Sequence, residues 1–179
     1  MGIEVKSKPS YQPVEIDLTA SMSLFVGEEG RSDAMTEVSE KLEADKKTVL
    51  YFSLSDWATE GSEKLPPQAL LNAMASLPMS SKIYVFGSEA FLWDIHQFAL
   101  GAGFMSEQVK LNEPASSARR VFCTHCYSVM EDIVETPIHC QGCGLLLLVR
   151  DHFSRAHGAY VGLNINAEDP TEIPEKEAL

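Results

Sequence analysis

The chain has 179 residues, a length that allows one ordinary domain and a small additional module. Its formal net charge of −12 argues against a nucleic-acid backbone or an anionic membrane surface as the main partner. No run of 18 apolar residues is present, so no membrane-spanning helix is predicted. The first residues, MGIEVKSKPSYQP, lack the apolar core of a secretory signal, and we therefore expect a cytoplasmic protein.

The first 20 residues are polar, contain Pro9 and Pro13, and are predicted to form an extended N-terminal arm. From residue 22 to residue 111, strand and helix patterns then alternate. Short apolar runs at 22–26, 49–54, 82–86 and 108–111 predict four strands. Apolar residues at helical spacing predict three helices between them. The residues that define these helices are Met35, Val38 and Leu42; Leu70, Ala73, Met74 and Leu77; and Phe91, Leu92, Ile95, Phe98 and Ala99.

Local signals set the expected ends of these helices. Ser32 or Asp33 is placed to cap the first helix, and Pro66 and Pro67 suit the start of the second. Strands that are continuously apolar are expected to be buried on both faces, which favours a parallel sheet with helices on each side. Residues 21–114 are therefore predicted to form a small, doubly wound α/β domain.

The character of the sequence changes near Pro114. Helical periodicity gives way to short β runs, and all four cysteines of the chain lie within residues 115–166, which are predicted to form a small metal-binding module of zinc-ribbon or rubredoxin-like type. Residues 167–179 are acidic and poor in large apolar groups, and we expect a mobile tail.

The cysteines are arranged as Cys123-x2-Cys126 and Cys140-x2-Cys143, with thirteen residues between the pairs. A two-residue spacer lets a tight turn present both sulfurs to one cation, and two such turns complete a tetrahedral site. Gly144 supplies the left-handed backbone that often follows the second cysteine of a pair. Tyr127 holds the equivalent place in the first turn, which is less favourable.

The spacing does not identify the metal. Zinc gives a closed structural site and iron gives a one-electron carrier, and zinc is the commoner occupant. His125 and His139 adjoin ligand cysteines and are interpreted as exposed tips of the turns, because four thiolates already fill the site. His152 and His157 are interpreted as structural or surface residues. Arg150 and Arg155 offer a contact patch on an acidic protein.

The first domain resembles the pyridine-nucleotide half of ferredoxin–NADP reductase-type flavoproteins over residues 21–114, just over half of the chain. The segments LFVGEEGRSDAMTEVSEKLEADKKTVLYFSLSD and KIYVFGSEAFLWDIHQFALGAGFMSEQVKLNEP carry this layout. The resemblance implies a degenerate nucleotide site at four positions: Gly27, Gly30, Ser32 and Gly87.

This chain departs from the pattern of that family in its functional residues. The turn reads GEEGRSD, and Asp33 replaces the proline of the family. Phe86-Gly87-Ser88 replaces Cys-Gly-Pro. Glu28 and Glu29 place negative charge where a pyrophosphate would approach, so we expect NADPH to bind weakly or not at all to the isolated chain.

A degenerate nucleotide fold followed by four cysteines and the segment LLLLVRDHFSRAHGAYVGLN resembles the small subunit of the bacterial dimethylamine monooxygenase family. That resemblance implies a subunit of an NADPH-dependent haem monooxygenase that oxidatively demethylates secondary amines. Haem, FMN and an iron–sulfur cluster are then expected on partner subunits, together with the site for NADPH.

The residues themselves show no nucleophile–base set, no paired carboxylates in a recognisable motif and no intact phosphate loop, so no catalytic residue is predicted. A non-catalytic or electron-relaying subunit of such an oxygenase is the favoured hypothesis. The alternatives are a zinc-ribbon adaptor of another complex and an independent rubredoxin-like electron carrier.

Overall fold

The computed structural model describes residues 7–54, 68–169, 171 and 173–179. The chain divides into two compact units. One is Tyr11–Ala115, here called the α/β unit; the other, here called the metal module, comprises Ser116–Leu179 together with residues 7–10. Within the described residues, no helix combines the length and the apolar character that crossing a membrane requires.

The α/β unit alternates strands and helices as the sequence predicts. Its elements are β1 (Ser23–Gly27), α1 (Asp33–Ala44), β2 (Val49–Ser53), α2 (Gln68–Ser76), β3 (Lys82–Phe86), α3 (Glu89–Gly101) and β4 (Val109–Leu111). The four strands lie in the order β2-β1-β3-β4, and every neighbouring pair is parallel. The predicted α/β class with a parallel sheet is therefore confirmed. The predicted helix start at Pro66 and Pro67 lies outside the described residues.

The two faces of this sheet are packed by different side chains. One face is aromatic and packs against α1; its buried members are Phe25, Met35, Leu42, Tyr84 and Phe86, with Val14, Ile16, Val38, Val49 and Tyr51 around them. The other face is aliphatic and packs against α2 and α3; it includes Leu24, Val26, Leu70, Met74, Ile83, Val85, Leu92 and Ile95. Alternation along each buried strand thus sends successive side chains into two separate cores, with helices on both faces.

Serine side chains cap α1 and α3, two of the three α-helices that the described residues contain. Ser32 accepts a hydrogen bond from the Met35 backbone N–H at 3.2 Å, and Ser88 accepts one from the Phe91 backbone N–H at 3.3 Å. Each bond satisfies a backbone donor that has no partner within its own helix. The prediction that Ser32 or Asp33 caps the first helix is resolved in favour of Ser32.

The N-terminal arm is fastened to the α/β unit from residue 11 onward. The Tyr11 hydroxyl donates to the Glu89 carboxylate at 2.7 Å and accepts from the Trp93 indole N–H at 2.9 Å. Asp17 forms an ion pair with Lys82 at 3.2 Å. These polar contacts hold an otherwise irregular segment against α3 and β3.

The metal module is built almost entirely from strands. They are β5 (Arg119–Cys123), β6 (Val129–Ile133), β7 (Glu135–Thr136), β8 (Ile138–His139), β9 (Leu146–Ser154), β10 (Ala159–Asn164) and β11 (Glu177–Ala178). Five of them form a sheet in the order β6-β5-β10-β9-β8, in which only the β10–β5 pair is parallel. Arg119 is 6% exposed, pairs with Asp151 at 3.0 Å and lies over the Tyr160 ring, so its buried charge is compensated.

Two short pairings at the ends of the chain complete this module. Strand β11, which lies in the predicted acidic tail, pairs antiparallel with β7, and Lys176 contacts Glu135. Ser7 forms a parallel bridge with His152, and its hydroxyl lies 2.8 Å from the imidazole Nδ1. Neither pairing is indicated by the sequence patterns, and the mobility of the tail stays a prediction.

Candidate metal centre

The four predicted ligands converge on one point of the metal module. The sulfur atoms of Cys123, Cys126, Cys140 and Cys143 all lie within 4.8 Å of one another. The Cys126–Cys140 sulfur distance is 3.5 Å and the Cys123–Cys143 distance is 3.8 Å, far beyond the length of a disulfide, about 2.05 Å. Metal–sulfur bonds of about 2.3 Å in a tetrahedron place the sulfurs about 3.8 Å apart. The arrangement therefore fits one tetrahedral metal ion.

The backbone of the two cysteine turns is nearly identical. In the first turn, the Tyr127 N–H donates to the Cys123 carbonyl and the Cys123 N–H donates to the Ser128 carbonyl, both at 2.9 Å. In the second turn, the Gly144 N–H bonds the Cys140 carbonyl and the Cys140 N–H bonds the Leu145 carbonyl at the same distance. Strand β5 leads into the first turn and β8 leads into the second. The turns are therefore held by the sheet as well as by their own bonds.

The position after each second cysteine is left-handed, as the sequence predicts. Gly144 has a φ of 77° and Tyr127 has a φ of 61°. Glycine adopts this conformation without strain, whereas tyrosine does so at a cost. The Tyr127 side chain is also 73% exposed, so burial of its ring does not offset that cost within the chain.

Ser128 belongs to the metal centre although the spacing argument did not select it. Its hydroxyl lies 3.2 Å from the Cys126 sulfur. Gly142, in the second turn, leaves room for it: a Cβ on Gly142 would lie 2.0 Å from the Ser128 hydroxyl oxygen. A hydroxyl that donates to a thiolate stabilises the charged form of the ligand. A serine two residues after a CxxC pair is the only local signal that points to this role.

The thiol pKa values show why a cation is needed. Hydrogen bonds from the Ser128 side chain and backbone lower the pKa of the Cys126 thiol to about 6. The Leu145 backbone N–H lowers the pKa of Cys143, but burial and hydrogen bonds to the other three sulfurs outweigh it and raise that pKa to about 12. Four thiolates at these distances repel one another, so a bound cation is required to hold all four in the charged form.

The cluster of possible metal ligands among the described residues consists of the four cysteines, and the neighbouring histidines make other contacts. His125 and His139 are exposed, and the His139 Nδ1 lies 3.1 Å from the Gly144 carbonyl oxygen. His157 packs against the Phe122 ring with 4.8 Å between the ring centroids, and His152 contacts Ser7. Their contacts are those of structural and surface residues.

The four positions of the predicted nucleotide site surround the carboxyl ends of β1 and β3. Ser32 is occupied as the cap of α1. Gly30 has a φ of 64°, and its N–H donates to the Ser53 hydroxyl at 2.9 Å. A Cβ on Gly27 would lie 2.4 Å from the Gly30 carbonyl oxygen. These contacts show that the residues of this turn are packed against, or hydrogen-bonded to, other groups of the same chain.

Comparisons with known proteins match both units. Residues 120–163 match the family model described as dimethylamine monooxygenase subunit DmmA-like, C-terminal domain. A curated protein from Ectopseudomonas mendocina (strain ymp), the heme-dependent oxidative N-demethylase delta subunit, is 26% identical over 164 residues, which cover 92% of this chain and 91% of that protein. No solved structure matches the chain.

The resemblance to the dimethylamine monooxygenase family is confirmed. The DmmA-like match begins within β5 and ends within β10, so it contains all four cysteines and the β-sheet that carries them. The similarity to the delta subunit extends over nearly the whole chain and therefore includes the α/β unit as well.

Proposed function

We propose that this chain is a non-catalytic or electron-relaying subunit of a multi-subunit, NADPH-dependent haem monooxygenase that oxidatively demethylates dimethylamine in the cytoplasm. The observation that carries the proposal is the similarity to a heme-dependent oxidative N-demethylase delta subunit across 92% of this chain and 91% of that protein. Similarity over about nine-tenths of both chains supports a role for both units of the molecule, and not only a shared metal-binding motif.

In this role, haem, FMN, an iron–sulfur cluster and NADPH are held by partner subunits. The chain contributes a metal centre whose four sulfurs satisfy a tetrahedral ion completely and leave no position for substrate or oxygen. Such a centre stabilises a fold or passes an electron; it does not activate a substrate. Cys123 and Cys140 are 0% and 3% exposed, which suits a permanently bound ion.

Zinc is the metal we propose for this centre. The metal module is a small β structure in which the sulfurs of two cysteine turns face one another around one metal position. Zinc supplies folding free energy to modules of this kind. Iron in the same four-sulfur geometry would instead make the chain an electron relay between flavin and haem subunits.

The experiment is a native pull-down of the tagged chain from its own host, followed by a visible spectrum and metal analysis of the eluate. Haem and flavin bands with larger partner subunits are expected, with zinc in about one-to-one ratio to this chain. Absence of zinc, with iron in excess of that held by the haem and the iron–sulfur cluster of the partners, would favour the electron-relay form of the proposal. A colourless eluate that contains only this chain and zinc would overturn the oxygenase assignment and favour an adaptor role.

A further inference from the structure

The α/β unit has a topological switch point between β1 and β3. Strand order β2-β1-β3-β4 means that the chain leaves the carboxyl ends of these two strands toward helices on opposite faces of the sheet. In open α/β sheets the crevice at this point is where ligands bind, and phosphate groups bind there at helix N-termini. In this chain Glu28 follows β1, and Ser88 follows β3 as the N-cap of α3.

The carboxylate of Glu28 occupies this crevice. Its Oε2 accepts a hydrogen bond from the Ser88 backbone N–H at 2.5 Å, and its Oε1 accepts one from the Ser88 hydroxyl at 3.0 Å. The Glu28 backbone N–H donates to the Phe86 carbonyl at 3.0 Å, which fixes the side chain at the end of β3. An anion in this position also interacts favourably with the positive end of α3, which is 13 residues long.

Gly87 provides the space that the carboxylate fills. A Cβ on Gly87 would lie 2.7 Å from the Glu28 Cβ and 2.7 Å from its Oε2, closer than such atoms approach. The glycine that lets the backbone approach a bound pyrophosphate in dinucleotide folds therefore admits a side chain of this protein itself. The same Gly87 Cβ would lie 2.6 Å from the Phe91 ring, so the crevice is narrow on both sides.

We propose that the switch point is an anion site whose ligand is the Glu28 carboxylate of the same chain. The α/β unit is then closed to the pyrophosphate of a dinucleotide because the site is already filled. The sequence analysis attributed weak binding of NADPH to charge repulsion by both Glu28 and Glu29. The proposal attributes it instead to the Glu28 carboxylate, which fills the site. Glu29 is exposed, so its charge alone is well screened. Removal of the Glu28 side chain should open a site for small oxyanions: carboxylates, phosphate and the diphosphate of a nucleotide.

Acetate rescue of the full, metal-loaded chain tests the proposal. Glu28→Ala should lower Tm, and millimolar sodium acetate should restore it relative to sodium chloride of equal ionic strength, because acetate replaces the missing carboxylate and binds only the folded state. Glu29→Ala removes the same charge without opening the crevice and should show no acetate effect. Glu28→Gln keeps the volume filled and should also be insensitive to acetate.

Nucleotide affinity provides the second measurement. ADP should bind Glu28→Ala at least about tenfold more tightly than the wild-type chain or Glu29→Ala, measured by calorimetry. Equal gains in Glu28→Ala and Glu29→Ala would show that simple repulsion excludes the nucleotide and would overturn the proposal. The proposal would also be overturned if Glu28→Ala folds but acetate does not raise its Tm and its affinity for ADP equals that of the wild type.

If Glu28→Ala does not fold, an NMR titration of the wild-type chain with ADP tests the proposal. In its NMR spectrum the Ser88 amide resonance should stay unchanged when ADP is added, because the Ser88 backbone N–H already donates its hydrogen bond to the Glu28 carboxylate. A saturable shift of the Ser88 resonance with ADP would show an open site and would reject the proposal.

Discussion

Gly142 and Ser128 lie on different cysteine turns and form one contact. The Ser128 hydroxyl is 3.2 Å from the Cys126 sulfur, and it reaches that place because Gly142 carries no side chain. The second turn thereby controls a hydrogen bond to a ligand of the first. Bonds to a metal ligand from outside the coordination sphere orient that ligand and tune its affinity for the metal.

Gly142→Ala should weaken metal binding about 10–100-fold, the range found when a group that supports a ligand is lost. The new Cβ would lie 2.0 Å from the Ser128 hydroxyl oxygen and 3.2 Å from the Cys126 sulfur, so both must move. Competition with a chromophoric chelator measures the change. Gly101→Ala is the matched control, since a Cβ there meets no atom within 4 Å. Wild-type metal affinity in Gly142→Ala would contradict this role for the glycine.

At the scale of single residues, the sequence predicts the ligands but not the groups that support them. Cysteine spacing reports a ligand set directly because the chemistry requires those residues at that interval. Ser128 and Gly142 are separated by fourteen positions, and their contact exists only when the two turns meet in the fold. Glu28 shows the same limit. Its charge is visible in the sequence, while its bonds to Ser88, 60 positions away, are not.

Asp17 connects the N-terminal arm to strand β3. Hydrogen bonds from the Thr19 side chain and backbone, together with the Lys82 ammonium group, lower the pKa of Asp17 to about 2. The Asp17 backbone N–H also donates to the buried Tyr84 hydroxyl at 3.0 Å. The arm therefore carries a carboxylate whose charged form is stabilised by the local Thr19 bonds and, in the folded unit, by Lys82 of β3.

The stability that Asp17 contributes should depend on pH with a definite sign. Its folded pKa of about 2 lies below the ordinary value of 3.8, so the contribution is full above pH 3.8 and is lost as the pH falls toward 2. The difference in unfolding free energy between the wild type and Asp17→Ala should be constant near neutrality and shrink over that window. Urea unfolding followed by tryptophan fluorescence reports on this unit, because the buried Trp93 lies in its helix α3.

Glu37→Ala is the control for Asp17→Ala. It removes a negative side chain of an exposed helix pair with Lys41, and its effect should be smaller. If the difference in unfolding free energy between the wild type and Asp17→Ala does not change as the pH falls from 3.8 toward 2, the charge of the carboxylate contributes nothing to stability.

The elements of the α/β unit could be predicted because apolar periodicity is a local property. The third strand lies at the predicted residues 82–86, and the cap of α1 is one of the two predicted residues. The metal module was predicted less completely. Strand β10 contains Gly162 and pairs on one side with the preceding strand β9 and on the other side, in parallel, with β5. The pairing with β5 joins distant parts of the sequence, so no short pattern predicts it.

Charge is distributed unevenly along the molecule. Residues 116–166 contain four arginines and four acidic residues, so the net charge of −12 is carried by the rest of the chain. The two cysteine turns and the residues that flank them, 121–130 and 136–149, contain no charged side chain apart from the cysteines and histidines. The charge at the metal centre therefore comes from the cysteine thiolates and the bound ion, while the long-range attraction of a basic partner comes mainly from the α/β unit and the tail.

Loss of one metal ligand should unfold the metal module and leave the α/β unit folded, because the two units have separate cores. Cys140→Ser is expected to release the metal and to remove hydrogen-exchange protection from residues 116–169, with protection of the α/β unit retained over residues 11–54 and 68–115. Gln141→Ser, an exposed neighbour that is not a ligand, should keep both the metal and the protection. Unchanged metal content and unchanged protease resistance after Pro114 in Cys140→Ser would refute the four-cysteine site.

The metal module is not continuous in sequence, since Ser7 pairs with His152 across 145 positions. Residues 7–10 precede the α/β unit in the sequence and their partner strand follows it, so this pairing forms only after the intervening α/β unit has been synthesised. Completion of the metal module therefore requires the closure of a long loop. A substitution or insertion that displaces residues 7–10 should alter the metal module, although the change lies on the other side of the α/β unit in the sequence.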